Sequence, residues 1–218
     1  MKKITIILIL LILFTTSVDG QRKRSITKKV TTSSTTNKRD NTPNLTGKTL
    51  EYYNKAKAGD KVAQCILGMS YLEGKDVPKD YKQAVYWCKK SAEQGYAPAQ
   101  YTIGVCYELA QGVEQNEKQA VYWYQKAAEQ GLDAAQFVLG ECYYNGVGVV
   151  QDYKQAAYWF QESSEQGYAE AQFWLSVCYA LGKGKEENKT LSIYWMKESA
   201  KNGYKEAQEL LKGTSFSW

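Results

Sequence analysis

The sequence predicts an all-α solenoid, in which short helix pairs stack one on another. Three observations support this prediction. Side chains recur at a period of 36 residues over most of the chain, and such a period is typical of stacked repeat arrays. Proline is scarce, with 3 residues in 218, so little interrupts helices. Each period also holds Asp or Asn at one fixed position, where a helix should begin.

The first 20 residues have the order of a secretory signal. Lys2 and Lys3 precede an apolar run over residues 4–14, and small and polar residues follow up to Gly20. The run is shorter than the roughly 20 apolar residues of a membrane-spanning helix. We therefore predict a signal peptide over residues 1–20 and a secreted or periplasmic protein. An uncleaved membrane anchor is the alternative.

Residues 21–43 are predicted to form a disordered basic linker, because they contain almost nothing apolar that could be buried. Residues 21–50 hold eight Lys and Arg against Asp40, whereas residues 51–218 hold 18 basic and 21 acidic residues. A nucleic-acid-binding domain normally carries its positive charge on the folded surface, so we expect no nucleic-acid partner. The linker either serves as a solvated spacer or binds weakly to an anionic surface.

Each period contains two helices. The first runs over about residues 61–73 in the first repeat, where Ala63, Leu67 and Tyr71 share one face. A glycine in the middle of this helix indicates a close approach of two helices, and Ser176 replaces it in the fourth repeat. The second helix begins at an N-cap and carries a Tyr-Trp pair. The N-cap residues are Asp80, Asn116, Asp152 and Asn188, and the tryptophans are Trp87, Trp123, Trp159 and Trp195.

The repeats divide the chain without gaps. We predict a repeat domain over residues 44–212, made of a half repeat, four full repeats and a closing helix, with a tail over residues 213–218. This arrangement gives about ten helices. The units are 44–58, 59–94, 95–130, 131–166, 167–202 and 203–212.

The residues that recur at equivalent positions of the repeats resemble the Sel-1-like repeat, a relative of the tetratricopeptide repeat. The third repeat matches the family pattern closely, from Ala135-Gln136 through Leu139-Gly140 and Tyr143 to Trp159. The fourth departs most, with Ser176 for Gly and Ser192 for Ala. The resemblance implies a right-handed αα superhelix that acts as an adaptor or scaffold for other proteins.

The sequence contains no histidine, which removes imidazole bases and most zinc sites. We expect no catalytic residues, no metal and no cofactor, and thus no enzyme. Among the five cysteines, Cys106, Cys142 and Cys178 share one column and should be buried. Cysteine-rich members of the resembled family pair cysteines within a repeat, and some are linked to β-lactam binding or hydrolysis. Cys65 and Cys88 lie in one repeat, so a bridge between them and a β-lactam-handling enzyme remain the alternatives.

By analogy with tetratricopeptide grooves, the partner should bind the concave face formed by the first helices. Aromatic side chains with scattered acids suit a partly apolar peptide or helix. We therefore predict a monomer that binds a protein or peptide partner. Tyr101, Phe137 and Phe173 share one column, which could instead be core. The predicted binding residues are Met69, Leu72, Tyr101, Val105, Glu108, Phe137, Glu141, Tyr144, Phe173 and Val177.

Overall fold

The computed structural model describes Leu45 and residues 47–212. The expected signal peptide, the basic linker and the tail over residues 213–218 lie outside the described residues. The described part contains ten helices and no strand. The prediction of an all-α solenoid with about ten helices is thus confirmed.

The helices alternate between the two members of each repeat. A lone second helix begins the stack and a short first helix ends it. The bounds are α1 Gly47–Lys57, α2 Lys61–Glu73, α3 Tyr81–Glu93, α4 Ala97–Glu108, α5 Glu117–Ala128, α6 Asp133–Asn145, α7 Tyr153–Glu165, α8 Ala169–Leu181, α9 Lys189–Lys201 and α10 Lys205–Leu211.

Packing proceeds strictly from neighbour to neighbour. Each second helix packs against the first helix of its own repeat and against the first helix of the next unit. The first helices α2 and α4 also touch each other directly. We call the side of the stack formed by the first helices the inner side, and the side formed by the second helices the outer side.

The second helices begin where the sequence predicts. The Asp80 carboxylate accepts hydrogen bonds from the backbone N–H groups of Lys82 and Gln83 at 2.9 and 3.1 Å. Asn116, Asp152 and Asn188 cap α5, α7 and α9 in the same way. Each cap satisfies N–H groups that have no partner inside the helix, so these four helix starts are set by local sequence.

A column of buried glutamines ties the repeats together. Gln136 in α6 donates to the carbonyl of Ala128 at the end of α5, at 3.2 Å. Its side-chain oxygen accepts from Gln166 at the end of α7, at 2.7 Å. The same contacts recur in the other repeats through Gln64, Gln100 and Gln172. One side chain thus joins three helices, a role that the repeated Ala-Gln pair did not reveal by itself.

The glycines within the first helices have the packing role that the sequence predicts. A Cβ atom on Gly140 would lie 2.6 Å from a ring carbon of Phe160, and one on Gly104 would lie 2.4 Å from the Tyr124 ring. Real Cβ atoms do not approach so closely, so the ring of the second helix occupies the space above each glycine. Only glycine lets α4 and α6 approach their partner helices at this distance.

The loop between the two helices of a repeat packs against the preceding repeat. A Cβ atom on Gly184 would lie 1.8 Å from the carbonyl oxygen of Tyr153, at the start of the preceding second helix. Gly112 and Gly148 meet the preceding repeat in the same manner. These contacts fix how each repeat is placed on its neighbour.

The tryptophans of the second helices are not equally buried. Trp87 and Trp123 are buried, whereas Trp159 and Trp195 are half-buried. The indole N–H of Trp87 is buried without a hydrogen-bond partner. The column therefore contributes most to the core in the first two repeats.

Candidate partner-binding surface

The ten predicted binding residues lie on the first helices, but they differ widely in exposure. Met69 in α2 is the most accessible, with 42% of its surface exposed. Leu72, Tyr101, Val105, Glu108 and Glu141 are half-buried. The other four are buried, which corrects the prediction that they line an open surface: Phe137, Tyr144, Phe173 and Val177.

The column of Phe137 and Phe173 belongs to the core. The Phe137 ring lies 6.0 Å from Phe160 and 5.2 Å from Tyr168, measured between ring centroids. Phe173 is 1% exposed and lies 5.1 Å from Tyr204 of the closing unit. These rings fill the space between successive repeats, so they belong to the core and not to an accessible surface.

Val177 is covered because α8 is buried around its whole circumference in this stretch. Every residue from 171 to 178 is buried. The helix has the closing helix α10 after it, and Leu211 of α10 belongs to the same core cluster as Val177. A helix that is apolar on all sides is normally buried on all sides, and the sequence of α8 fits that rule.

Tyr144 is also a core residue, which corrects its prediction as a binding residue. Tyr144 is 6% exposed, whereas Tyr143 is half-buried. The Tyr144 ring lies 5.1 Å from both Tyr153 and Trp174. Its hydroxyl accepts a hydrogen bond from Lys183 at 2.9 Å, and the Lys183 ammonium lies 4.6 Å from the centre of the ring. The prediction failed because the loop of the fourth repeat covers this position.

Glu108 forms a hydrogen bond with the buried Tyr124. The Tyr124 hydroxyl donates to the Glu108 carboxylate at 2.6 Å, and the Tyr124 ring lies 5.6 Å from Tyr101. Burial, followed by the nearby Glu108 charge, raises the pKa of Tyr124 strongly. Glu108 is therefore a structural acceptor, and sequence reasoning missed Tyr124 because its column holds Cys88 and Phe160 in neighbouring repeats.

What remains accessible is an apolar patch in the first two repeats. Met69 and Leu109 are 42% and 55% exposed, and Leu72, Tyr101 and Val105 are half-buried. All five lie on α2 or α4 or directly at the end of α4. We call this set the inner apolar patch.

The five cysteines are buried and form no disulfide with one another. The alternative bridge between Cys65 and Cys88 is therefore not formed. Burial of Cys106, Cys142 and Cys178 agrees with the prediction. Burial raises the pKa of Cys65 and of Cys106 to about 11 and that of Cys178 to about 12. Because the thiolate is the reactive form, these groups are poor nucleophiles near neutral pH.

The part of the chain that the structure describes contains neither a metal-binding cluster nor a membrane-spanning helix. Over Leu45 and residues 47–212, no group of three or more His, Cys, Asp or Glu side chains is arranged to hold a metal ion. No helix in that part of the chain is long and apolar enough to cross a membrane.

The fold and its repeated contacts define an αα-repeat solenoid protein. A family model for the Sel1 repeat matches residues 61–96, 97–132, 133–168 and 169–204. The chain therefore belongs to the Sel1 repeat family, whose solenoids commonly serve as scaffolds for protein interactions. The matched units start two residues after the predicted ones, which is a different choice of starting point for the same period.

Solved structures of bacterial Sel1 proteins are similar to this chain. A protective antigen of uropathogenic Escherichia coli with an SLR fold is 36% identical, with a TM-score of 0.71, over 73% of this chain and 34% of that one. A Sel1 repeat protein from Oxalobacter formigenes is 35% identical, with a TM-score of 0.70, over 75% and 48% of the two chains. The match thus spans about a third and about half of their lengths. The cysteine-rich protein B of Helicobacter pylori is 22% identical, with a TM-score of 0.49, over 61% and 96%. No curated protein matches the chain.

Proposed function

We propose that the chain is an exported scaffold that binds a peptide or short helix of a partner protein along the inner face of its first two repeats. The observation that carries the proposal is the inner apolar patch. Met69 and Leu109 expose 42% and 55% of their surfaces, and Tyr101 in the same two repeats is half-buried. Large apolar and aromatic side chains commonly anchor protein contacts, and repeat solenoids bind along extended faces.

The first helices of the third and fourth repeats offer less accessible apolar surface. Phe137, Phe173 and Val177 are buried in the core of those repeats, so we do not expect them to contact the partner. Glu141 lies half-buried on the same series of helices. An apolar centre with acidic groups beside it suits a partner segment that combines apolar anchors with polar or basic flanks.

Export and location form a further part of the proposal. The signal-like residues 1–20 support transfer to the periplasm or the medium. The basic residues 21–43 would then precede the solenoid and make weak contact with an anionic surface. We expect a monomer, because the closing helix α10 and the residue that follows it present the charged side chains Glu209 and Lys212 to solvent and terminal repeats with polar faces end a stack.

A β-lactam-handling enzyme gains no support from the cysteines. In this chain the thiols are buried and form no disulfide, and burial raises the pKa of Cys65, Cys88 and Cys106. Sel1 repeat solenoids are typically non-catalytic scaffolds. A binding role therefore remains the proposal.

The test is a selection of random displayed peptides on the chain from Gln21 onward, followed by titration of a synthetic copy of the enriched sequence. We expect enriched peptides with apolar anchors and saturable binding. The same preparation is assayed with a chromogenic β-lactam, for which we expect no turnover above buffer. Saturable hydrolysis, or the absence of any enriched peptide, would contradict the proposed function.

A further inference from the structure

A row of exposed tyrosines runs along the outer side of the stack. Tyr86, Tyr122, Tyr158 and Tyr194 occupy the same position in four second helices and are 47%, 49%, 48% and 51% exposed. Each ring packs edge-on against the tryptophan that follows it, with centroids 4.9 to 5.1 Å apart. The rings are therefore held in a fixed orientation although half of each faces solvent.

The chain covers two of these rings with its own lysines. The Lys90 ammonium lies 4.8 Å from the centre of the Tyr86 ring, and the Lys126 ammonium lies 5.1 Å from that of Tyr122. Such cation–π contacts are favourable within about 6 Å. At the same position in the next two repeats stand Glu162 and Glu198. Tyr158 and Tyr194 thus have a carboxylate nearby where the first two rings have an ammonium.

The structure shows a cleft beside the last of these rings. It has a volume of about 380 Å³, lies between α7, α8 and α9, and is lined by Tyr194, Trp195, Glu165, Glu198 and Asn202 among others. An aromatic ring beside two carboxylates attracts a cation through both the ring face and the negative charge.

Both carboxylates retain binding capacity. Glu165 accepts from Gln161 at 2.8 Å through Oε1, and Glu198 accepts from Lys201 at 2.6 Å through Oε1. An ionised carboxylate offers about four acceptor positions on its two oxygens. In the Glu198–Lys201 pair the lysine side chain is 53% exposed and the glutamate side chain 27% exposed. Ion pairs in contact with solvent contribute little stability, so a cationic side chain of a partner can displace Lys201.

A tyrosine and two glutamates also lie at the equivalent positions one repeat earlier. Tyr158 has Glu162 four residues further along α7, and Glu129, at the end of α5, is the counterpart of Glu165. We call Tyr194, Glu165 and Glu198 the C-terminal seat, and Tyr158, Glu129 and Glu162 the central seat. In the first repeat the corresponding positions hold Lys57 and Lys90, which have the opposite charge.

We propose that the two seats bind lysine or arginine side chains of an extended basic segment of a partner protein. The chain itself shows the binding mode, because Lys90 over Tyr86 occupies the position that the partner's cation would take. The two tyrosines lie on α7 and α9, which both pack on α8 rather than on each other, so they are further apart than the about 8–10 Å between packed helices. An extended chain rises about 3.3 Å per residue and places every second side chain on the same face. The two basic residues should therefore stand about four positions apart. This site lies on the outer side and does not depend on the proposed function of the inner face.

The probe is a fluorescein-labelled Gly/Ser peptide with two arginines four positions apart, titrated by fluorescence anisotropy against the chain from Gln21 onward. Glu198→Lys restores the residue type of the first two repeats, and we expect it to weaken the affinity about tenfold. Tyr194→Ala should have a similar effect, whereas Tyr194→Phe should retain binding because the ring is kept. Each variant should keep the wild-type melting temperature, since the tyrosine row is exposed.

Matched controls separate this site from general charge attraction. Glu114→Lys makes the same charge change in an exposed loop and should leave the affinity unchanged. A peptide with adjacent arginines should bind more weakly than the spaced one. Equal losses in Glu114→Lys and Glu198→Lys, or equal affinity for both peptides, would overturn the proposal. So would a tenfold gain on deletion of residues 21–43, because the chain's own linker would then be the occupant.

Discussion

Ser176 and Ser192 face each other across the helix pair of the fourth repeat, with their hydroxyl oxygens 3.3 Å apart. Both residues are buried. The other repeats hold Gly at the first position and Ala at the second. The two departures from the repeat pattern are thus one coupled change, in which each buried hydroxyl supplies the hydrogen-bond partner of the other.

This pairing predicts a non-additive mutational effect. Ser176→Ala and Ser192→Ala should each lower the free energy of unfolding by about 1 kcal/mol, because each leaves a buried hydroxyl without its partner. The double variant should lose less than the sum of the two. Urea denaturation of the four proteins measures the coupling, and strictly additive losses would show that the hydroxyls do not interact.

Gly140→Ala should destabilise the third repeat by about 1–3 kcal/mol, because the new Cβ would lie 2.6 Å from the Phe160 ring. Helix propensity alone predicts the opposite sign, since Ala is favoured over Gly by up to about 1 kcal/mol. Combining the change with Phe160→Leu should cost less than the sum of the two. An increase in melting temperature for Gly140→Ala would show that the helices are not in close contact there.

The different burial of Tyr143 and Tyr144 gives a paired prediction. Tyr144→Ala removes a ring packed against Tyr153 and Trp174 and should cost about 3 kcal/mol or more. Tyr143→Ala, at a half-buried position, should cost clearly less. Thermal denaturation compares them, and a greater loss for Tyr143→Ala would contradict the packing described.

Stability should fall at alkaline pH. Burial raises the pKa of Cys65 and of Cys106 from 9.0 to about 11, so the unfolded chain ionises these thiols before the folded chain does. Their contribution is complete below about pH 9 and is lost as the pH rises through about 11. Urea midpoints measured from pH 7.5 to 11 should therefore decline above about pH 9. A flat profile would show that the thiols are solvated in the folded state.

The same pKa shift predicts slow alkylation. Iodoacetamide at pH 8 should modify Cys65 and Cys106 about a hundredfold more slowly in the folded chain than in urea, because the thiolate fraction falls with the raised pKa. Mass spectrometry counts the modified residues. Rapid labelling of the native protein would contradict their burial.

The sequence determined the architecture more reliably than the surface. The N-cap at Asp80 depends on residues within one turn, so local chemistry predicts it. Burial of Tyr144 depends on Lys183, which belongs to a different repeat, and periodicity carries no information about that contact. The burial of Phe173 depends similarly on Tyr204 of the closing unit. Ends of a repeat array break its symmetry, so positions that look equivalent in sequence differ most in exposure there.

The most direct test of the central claim places a charge on the inner apolar patch. The peptide selected for binding is titrated against Met69→Glu, Leu109→Glu and Leu191→Glu. Leu191 is a matched control, because it is 38% exposed on α9 and its column holds Gln in the other repeats. We predict that Met69→Glu and Leu109→Glu weaken the affinity at least about tenfold, that Leu191→Glu leaves it unchanged, and that all three keep the wild-type melting temperature. Unchanged affinity in both inner-face variants, or an equal loss in all three, would show that the partner does not bind the inner face.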